Sequence, residues 1–79
     1  MTRLTYRILL RREPEGGYTV TVPSLPGCVT YGADINEAHE MAKEAITAYL
    51  ESMAKHGDVI IDDTNTLESM LILEDAQAS

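Results

Sequence analysis

The sequence predicts an α+β fold of order β-β-β-α-β. It is an antiparallel three-stranded meander with one helix packed on the sheet and a final strand. Three observations carry this. Apolar and polar residues alternate with period two from Leu4 to Leu10 and from Tyr18 to Val22. Ala38, Ala42, Ala45, Ile46, Tyr49 and Met53 then recur at helical spacing. A short apolar run, Met70-Leu71-Ile72-Leu73, closes the pattern.

In the first strand, Leu4, Tyr6, Ile8 and Leu10 share one face and Thr5, Arg7, Leu9 and Arg11 the other. Pro14 stops it, and Gly16-Gly17 supply the turn into the second strand, antiparallel to the first. Pro23 and Pro26 lack a donor, so neither sits inside a ladder. Pro26-Gly27 is a turn pair, and Cys28, Val29, Thr30 and Tyr31 form the third strand. Gly32 marks a bulge or a close approach to the helix. Asp34-Ile35-Asn36-Glu37 resembles a capping box, with Asn36 a competing cap. Lys55 and His56 complement the helix dipole, and Gly57 is expected as the C-cap. Residues 58–66 are turn-like around Asp62-Asp63-Thr64-Asn65, and residues 74–79 read as a frayed end.

The chain has 79 residues and is expected to form one domain spanning residues 1–79. With one cysteine and no Trp or Phe, its core is small and lacks a disulfide, which favours self-assembly or a partner subunit. No run approaches the ~20 apolar residues of a membrane span. The alternating start is unlike a signal sequence, and the lone cysteine suits a reducing compartment. A cytoplasmic protein is expected. The net charge of −7 is uneven: residues 1–33 carry +2 and residues 34–79 carry −9. Acidity disfavours direct binding to nucleic acid; it fits a basic protein partner, although charge alone is explained more simply by solubility.

No residue set points to catalysis. Cys28 is the only thiol, and His39 and His56 lie more than four helical turns apart, so both cannot serve it. Cys28 reads as a small core residue, His39 as solvated, His56 as a helix-end cation. Asp62-Asp63 has the composition of a metal-binding pair, but without further ligands at close spacing it reads as a wet loop tip. No metal or other cofactor is expected. Arg3, Arg7 and Arg11 alternate along the expected first strand, a basic stripe that suits either a carboxylate-rich surface or, more economically, protection of an edge from aggregation.

Glu15-Gly16-Gly17-Tyr18, then Val22-Pro23-Ser24-Leu25-Pro26-Gly27-Cys28, then Gly32, Glu37-Ala38 and an Ala- and Glu-rich helix closed by Gly57 form one pattern. It resembles the HicB family of antitoxins, of the UPF0150 type, over residues 4–57. The resemblance implies a partial RNase H-like fold, homodimers or homotetramers, and a partner toxin of the HicA type, a small basic mRNA-cleaving ribonuclease. An RNase H active site needs an acid on the first strand. Residues 4–9 offer Leu, Thr, Tyr, Arg, Ile and Leu, so nuclease activity is not expected. Many family members continue into a DNA-binding module. These 79 residues leave no room for one, and Val59-Ile60-Ile61 replaces a proline-containing stretch.

The expected function is therefore that of a type II antitoxin that occludes a basic toxin. The expected contacts are Glu13, Glu15, Asp58, Asp62, Asp63 and Glu68. The rival reading is an orphan self-assembling module, regulatory or ligand-binding, with no toxin.

Overall fold

The structure, a computed structural model, describes residues 3–75. Its elements are β1 (Leu9–Arg12), β2 (Tyr18–Thr21), β3 (Val29–Gly32) and α1 (Ile35–Lys55). The sheet has order β1-β2-β3, antiparallel throughout. The α+β class and the meander are as the sequence predicts.

Local chemistry sets the connections. Pro23 takes the chain out of β2, and a compact corner follows. Leu25 N–H donates to the Val22 carbonyl at 3.0 Å, Cys28 N–H to Leu25 at 2.9 Å, and Val22 N–H to Cys28 at 3.1 Å. The Tyr49 hydroxyl reaches from α1 to the Pro26 carbonyl at 2.8 Å, tying the corner to the helix. Asp34 caps α1 by accepting from Glu37 N–H at 2.7 Å. The Glu37 carboxylate reaches back to Ala33 N–H at 2.7 Å. The capping box is thus real, with its return bond one residue before the cap. At the far end His56 is the C-cap, and Gly57 is the next residue, at φ 71°. Gly57 N–H donates to Ala54 at 3.2 Å and Asp58 N–H to Met53 at 3.0 Å, the paired bonds of a Schellman motif. The glycine stands where positive φ is needed, one place beyond the cap itself, which is His56 and not Gly57 as predicted.

The helix lies on one face of the sheet. Val20, Ala38 and Ala42 form one buried cluster, flanked by Ile8, Leu10 and Tyr18. Val22, Leu25 and Cys28 form a second, flanked by Tyr6, Ile46, Tyr49, Leu50 and Met53 among others. Alanines on the helix let it approach closely. Gly32 completes that approach: a methyl group there would overlap the Ala38 backbone and lie 2.9 Å from its Cβ. Gly32 marks a close approach.

Two expectations change. The first strand begins at Leu9, not Leu4, because Thr5 and Arg7 give backbone groups to a later part of the chain instead of to a ladder. The final strand is not seen among the described residues. Residues 67–73 pair with no strand among the described residues, and Leu67, Met70, Leu71, Ile72 and Leu73 are 80–95% exposed. The apolar composition suits a strand, but these residues join no ladder among the described residues. Residues 76–79 of the predicted frayed end lie outside the described residues.

Gly32→Ala is expected to destabilise the fold by about 1–3 kcal/mol, as overpacking of a tight contact does. At roughly 4–8 °C per kcal/mol for a domain of this size, a thermal melt followed by circular dichroism reads the loss directly. An unchanged melting temperature would show that the helix and β3 can separate at no cost.

Candidate interaction surface

The carboxylates of Asp62 and Asp63 do not stand free on a loop tip. Asp62 Oδ2 accepts from Thr5 N–H at 2.9 Å and from the Thr64 hydroxyl at 2.8 Å, and Oδ1 from Thr64 N–H at 3.1 Å. Asp63 is 6% exposed. Its Oδ2 accepts from Arg7 N–H at 2.7 Å, and its Oδ1 from the Ser24 hydroxyl at 2.5 Å and the Thr66 hydroxyl at 3.2 Å. Asp63 N–H donates to the Thr5 carbonyl at 2.7 Å, and the Tyr6 hydroxyl to the Ile61 carbonyl at 2.7 Å. Two adjacent acids thereby hold the chain after the helix against the chain before β1.

The position follows from the register. Leu9 faces Thr21, so continuing the ladder would set Arg7 against Pro23, which has no N–H. The ladder ends there, and Arg7 N–H donates instead to the Asp63 carboxylate. Asp62 and Asp63 were expected at a partner contact. Their oxygens are spent inside the chain, and Asp63 is buried, so neither presents a free carboxylate.

The electrostatics agree with this geometry. The Arg7 backbone N–H, then the Ser24 hydroxyl, holds the Asp63 carboxyl below its ordinary value. The Thr5 backbone N–H, then Thr64, does the same for Asp62. Partial burial, then the charges of Asp62 and Asp63, pushes the Tyr6 phenol up, so it stays a donor. Burial likewise raises the Cys28 thiol and keeps it protonated between Val22 and Leu25.

The remaining expected contacts are scattered. Glu15 is exposed and Glu13 half-buried in the β1–β2 turn. Asp58 is exposed just past α1. Glu68 is exposed, with Oε1 3.5 Å from Arg7 Nε. The structure gathers a different set of acids. Glu40, Glu44 and Glu51 are all exposed on α1 beside Lys43, Thr47 and Ala48. At about 100° per residue they lie within a stripe of roughly 40°. Their spacing of four and seven was legible in the sequence, once the helix was indexed for charge as well as for apolar residues.

Beneath the sheet, the face away from the helix is open. Leu9, Thr21 and Val29 align across the three strands, as do Arg11, Thr19 and Tyr31. Leu9, Val29 and Tyr31 are about half exposed. His39 lies by Leu4, Tyr6 and Ile8 at the groove between the chain start and α1. His56 Nδ1 sits 2.7 Å from the Ser52 carbonyl oxygen, to which the tautomer with hydrogen on Nδ1 donates.

Because Asp62 and Asp63 titrate below 3.8 in the folded chain, the stability they contribute is fully present above that value. It is lost as pH falls through their lowered folded values. Melting temperatures measured from neutral pH down to pH 2.5 are expected to drop steeply on the acid limb. Asp63→Asn is expected to melt lower at pH 7 and to show a shallower acid limb. An acid limb identical to the parent's would remove the clamp from the account.

A model of the HicB-like antitoxins of bacterial toxin-antitoxin systems matches residues 6–77. A UPF0150 protein of Thermoplasma acidophilum is 43% identical over 60 residues, covering 76% of this chain and 87% of that protein. A UPF0150 protein of Archaeoglobus fulgidus is 44% identical over 48 residues, 61% of this chain and 70% of that protein. The antitoxin HicB of Escherichia coli K12 is 32% identical over 57 residues, 72% of this chain but 41% of its own length. With a matched span that holds the sheet, the proline corner, the helix and the aspartate pair, this chain belongs to the HicB-like antitoxin family, of the UPF0150 type.

Proposed function

We propose that this chain is the antitoxin of a type II toxin-antitoxin pair and that it binds a small, basic, HicA-type ribonuclease and covers its RNA-binding surface. The observation that carries the reading is family membership over nearly the whole chain. Charge supports it. Residues 34–79 carry −9, and the exposed acids of α1 offer closely spaced carboxylates where a basic toxin would otherwise meet phosphates. Glu13, Glu15, Asp58 and Glu68 stay in the proposed contact set, and Glu40, Glu44 and Glu51 join it. Asp62 and Asp63 leave it, since the clamp consumes them.

On this reading the chain is a binder and not an enzyme. A nuclease of RNase H type needs an acid on its first strand to hold divalent metal, and residues 4–12 carry none while Arg7 would repel the metal. The acidic surface also repels nucleic acid, so the chain acts on RNA only through its partner.

An open reading frame for a small basic protein beside this one is expected, and the two proteins are expected to co-purify. The complex should weaken as salt rises, because exposed charges are screened. Reversing Glu40, Glu44 and Glu51 to Lys is expected to weaken binding by about tenfold or more, chiefly by slowing association. Reversing Glu13 and Glu15 tests the turn separately. Binding that ignores salt and both reversals would sink the electrostatic mechanism. The absence of any basic partner would favour the self-assembling module.

A further inference from the structure

Among the described residues, β3 pairs with β2 alone, and its other side is an open edge. Val22 N–H donates to the Cys28 carbonyl at 3.1 Å, which fixes the parity of the ladder. Residues 28, 30 and 32 turn their backbone groups toward β2. Val29 and Tyr31 turn theirs outward, two N–H and two carbonyl groups with no backbone partner among the described residues. The side chains of the same two residues lie on the open face of the sheet, 56% and 50% exposed. Apolar side chains beside unpaired backbone are what a sheet offers to an incoming strand.

The helix above gives this edge a charge. Along its length α1 runs back over β3: Gly32 abuts Ala38 near the helix start, and Tyr49 bonds to the Pro26 carbonyl further on. At about 100° per residue, Glu37, Met41, Glu44 and Ala48 fall on one flank of the buried line from Ala38 to Ala42, and His39, Lys43 and Ile46 on the other. The second flank stands over the chain start, since His39, Lys43 and Ile46 line a groove with Leu4, Tyr6 and Ile8. The first flank is consequently the one on the side of β3. All four of its residues are exposed, and its only charges are the two carboxylates.

We propose that the basic partner docks by strand addition. An edge strand of that protein pairs with Val29 and Tyr31, its cationic side chains toward Glu37 and Glu44 and its apolar ones toward the open face. This rests on the toxin-binding reading and names the seat within it. Charge selects the edge. Near the opposite edge, at β1, stand Arg3, Arg7, Arg11, Arg12 and Lys43, which repel a basic strand. Geometry selects the pattern: side chains alternate along an extended strand, so the partner's must alternate basic and apolar. A second copy suits the edge poorly. Antiparallel pairing of β3 with another β3 would turn the acidic flanks of the two helices toward each other, like charge against like.

The test uses the full chain and the small basic protein encoded beside it, purified separately and mixed. In the free chain the amides of Val29 and Tyr31 should exchange fast. In the complex they should slow by about tenfold or more, the mark of a newly formed ladder. The outward amides of Leu10 and Arg12, on the far edge, should not change. Val29→Pro removes one outward N–H and seats a ring on the edge without breaking a bond to β2. It should keep the helix signal in circular dichroism and weaken binding by about tenfold or more. If proline there costs the fold, Val29→Lys puts a cation on the same edge and carries the same expectation. Glu44→Lys should weaken binding, and Lys43→Glu, on the other flank, should not. A chain that captures no basic protein removes the toxin-binding reading and the seat together. A partner that binds while Val29 and Tyr31 exchange as before, or that slows Leu10 and Arg12 instead, leaves that reading standing and overturns the seat. Slow exchange at Val29 and Tyr31 in the free chain would overturn it too, because the edge would already be filled by a second copy or by the chain itself.

Discussion

The structure depends on one short-range electrostatic contact, the pair of aspartates that follows the helix. Without it the chain before β1 and the chain after α1 would be two loose ends on a three-stranded sheet. Asp62 and Asp63 bond to Thr5 and Arg7 on one side and Ser24 on the other. They thus tie three separate segments at the point where proline has stopped the ladder. A carboxylate suits this place better than backbone would. It offers two oxygens with several lone pairs in the space of one residue, and bonds to a charged acceptor are the stronger kind. The clamp also orients the segment after it, because the turn at Thr66 starts from the Asp63 carbonyl.

How much of this was legible depends on how local each interaction is. The capping box, the glycine after the helix and the proline corner each involve residues at most six apart, and each formed nearly where the sequence placed it. Gly32 was readable as punctuation, but its meaning, room for the Ala38 backbone, required the helix to be in place. The clamp was not readable. Thr5 and Asp62 are 57 residues apart, and adjacent aspartates beside Thr and Asn look the same in a solvated turn as in a buried corner. The final strand, absent among the described residues, was hard to read for a related reason. Apolar alternation reports which side chains want cover, and it cannot report whether the covering edge belongs to the same chain.

The candidate surface separates in the same way. Picking acids by position in the negative half mixed free carboxylates with committed ones, since charge counts ignore hydrogen bonding. Glu40, Glu44 and Glu51 remain available because they stand on the solvent side of α1, opposite the alanines that face the sheet. Their stripe and the buried stripe come from one periodicity, read once for charge and once for apolar residues. Acids in that position cost the fold little, which leaves them free to be used in recognition.

A small chain has a further constraint, which connects its core to its surface. The described core holds six buried apolar residues, and only Val20 among them is a large side chain with no exposure. An interior so slight gives little margin over the entropy of ordering the chain. Yet the sequence places Met70, Leu71, Ile72 and Leu73 where they add nothing to that interior. At roughly 1.5–3 kcal/mol for each such side chain removed from water, this unused run is worth as much as a sizeable part of the core. Leaving it in solvent would discard that stabilisation and expose an aggregation-prone segment beside an open sheet edge.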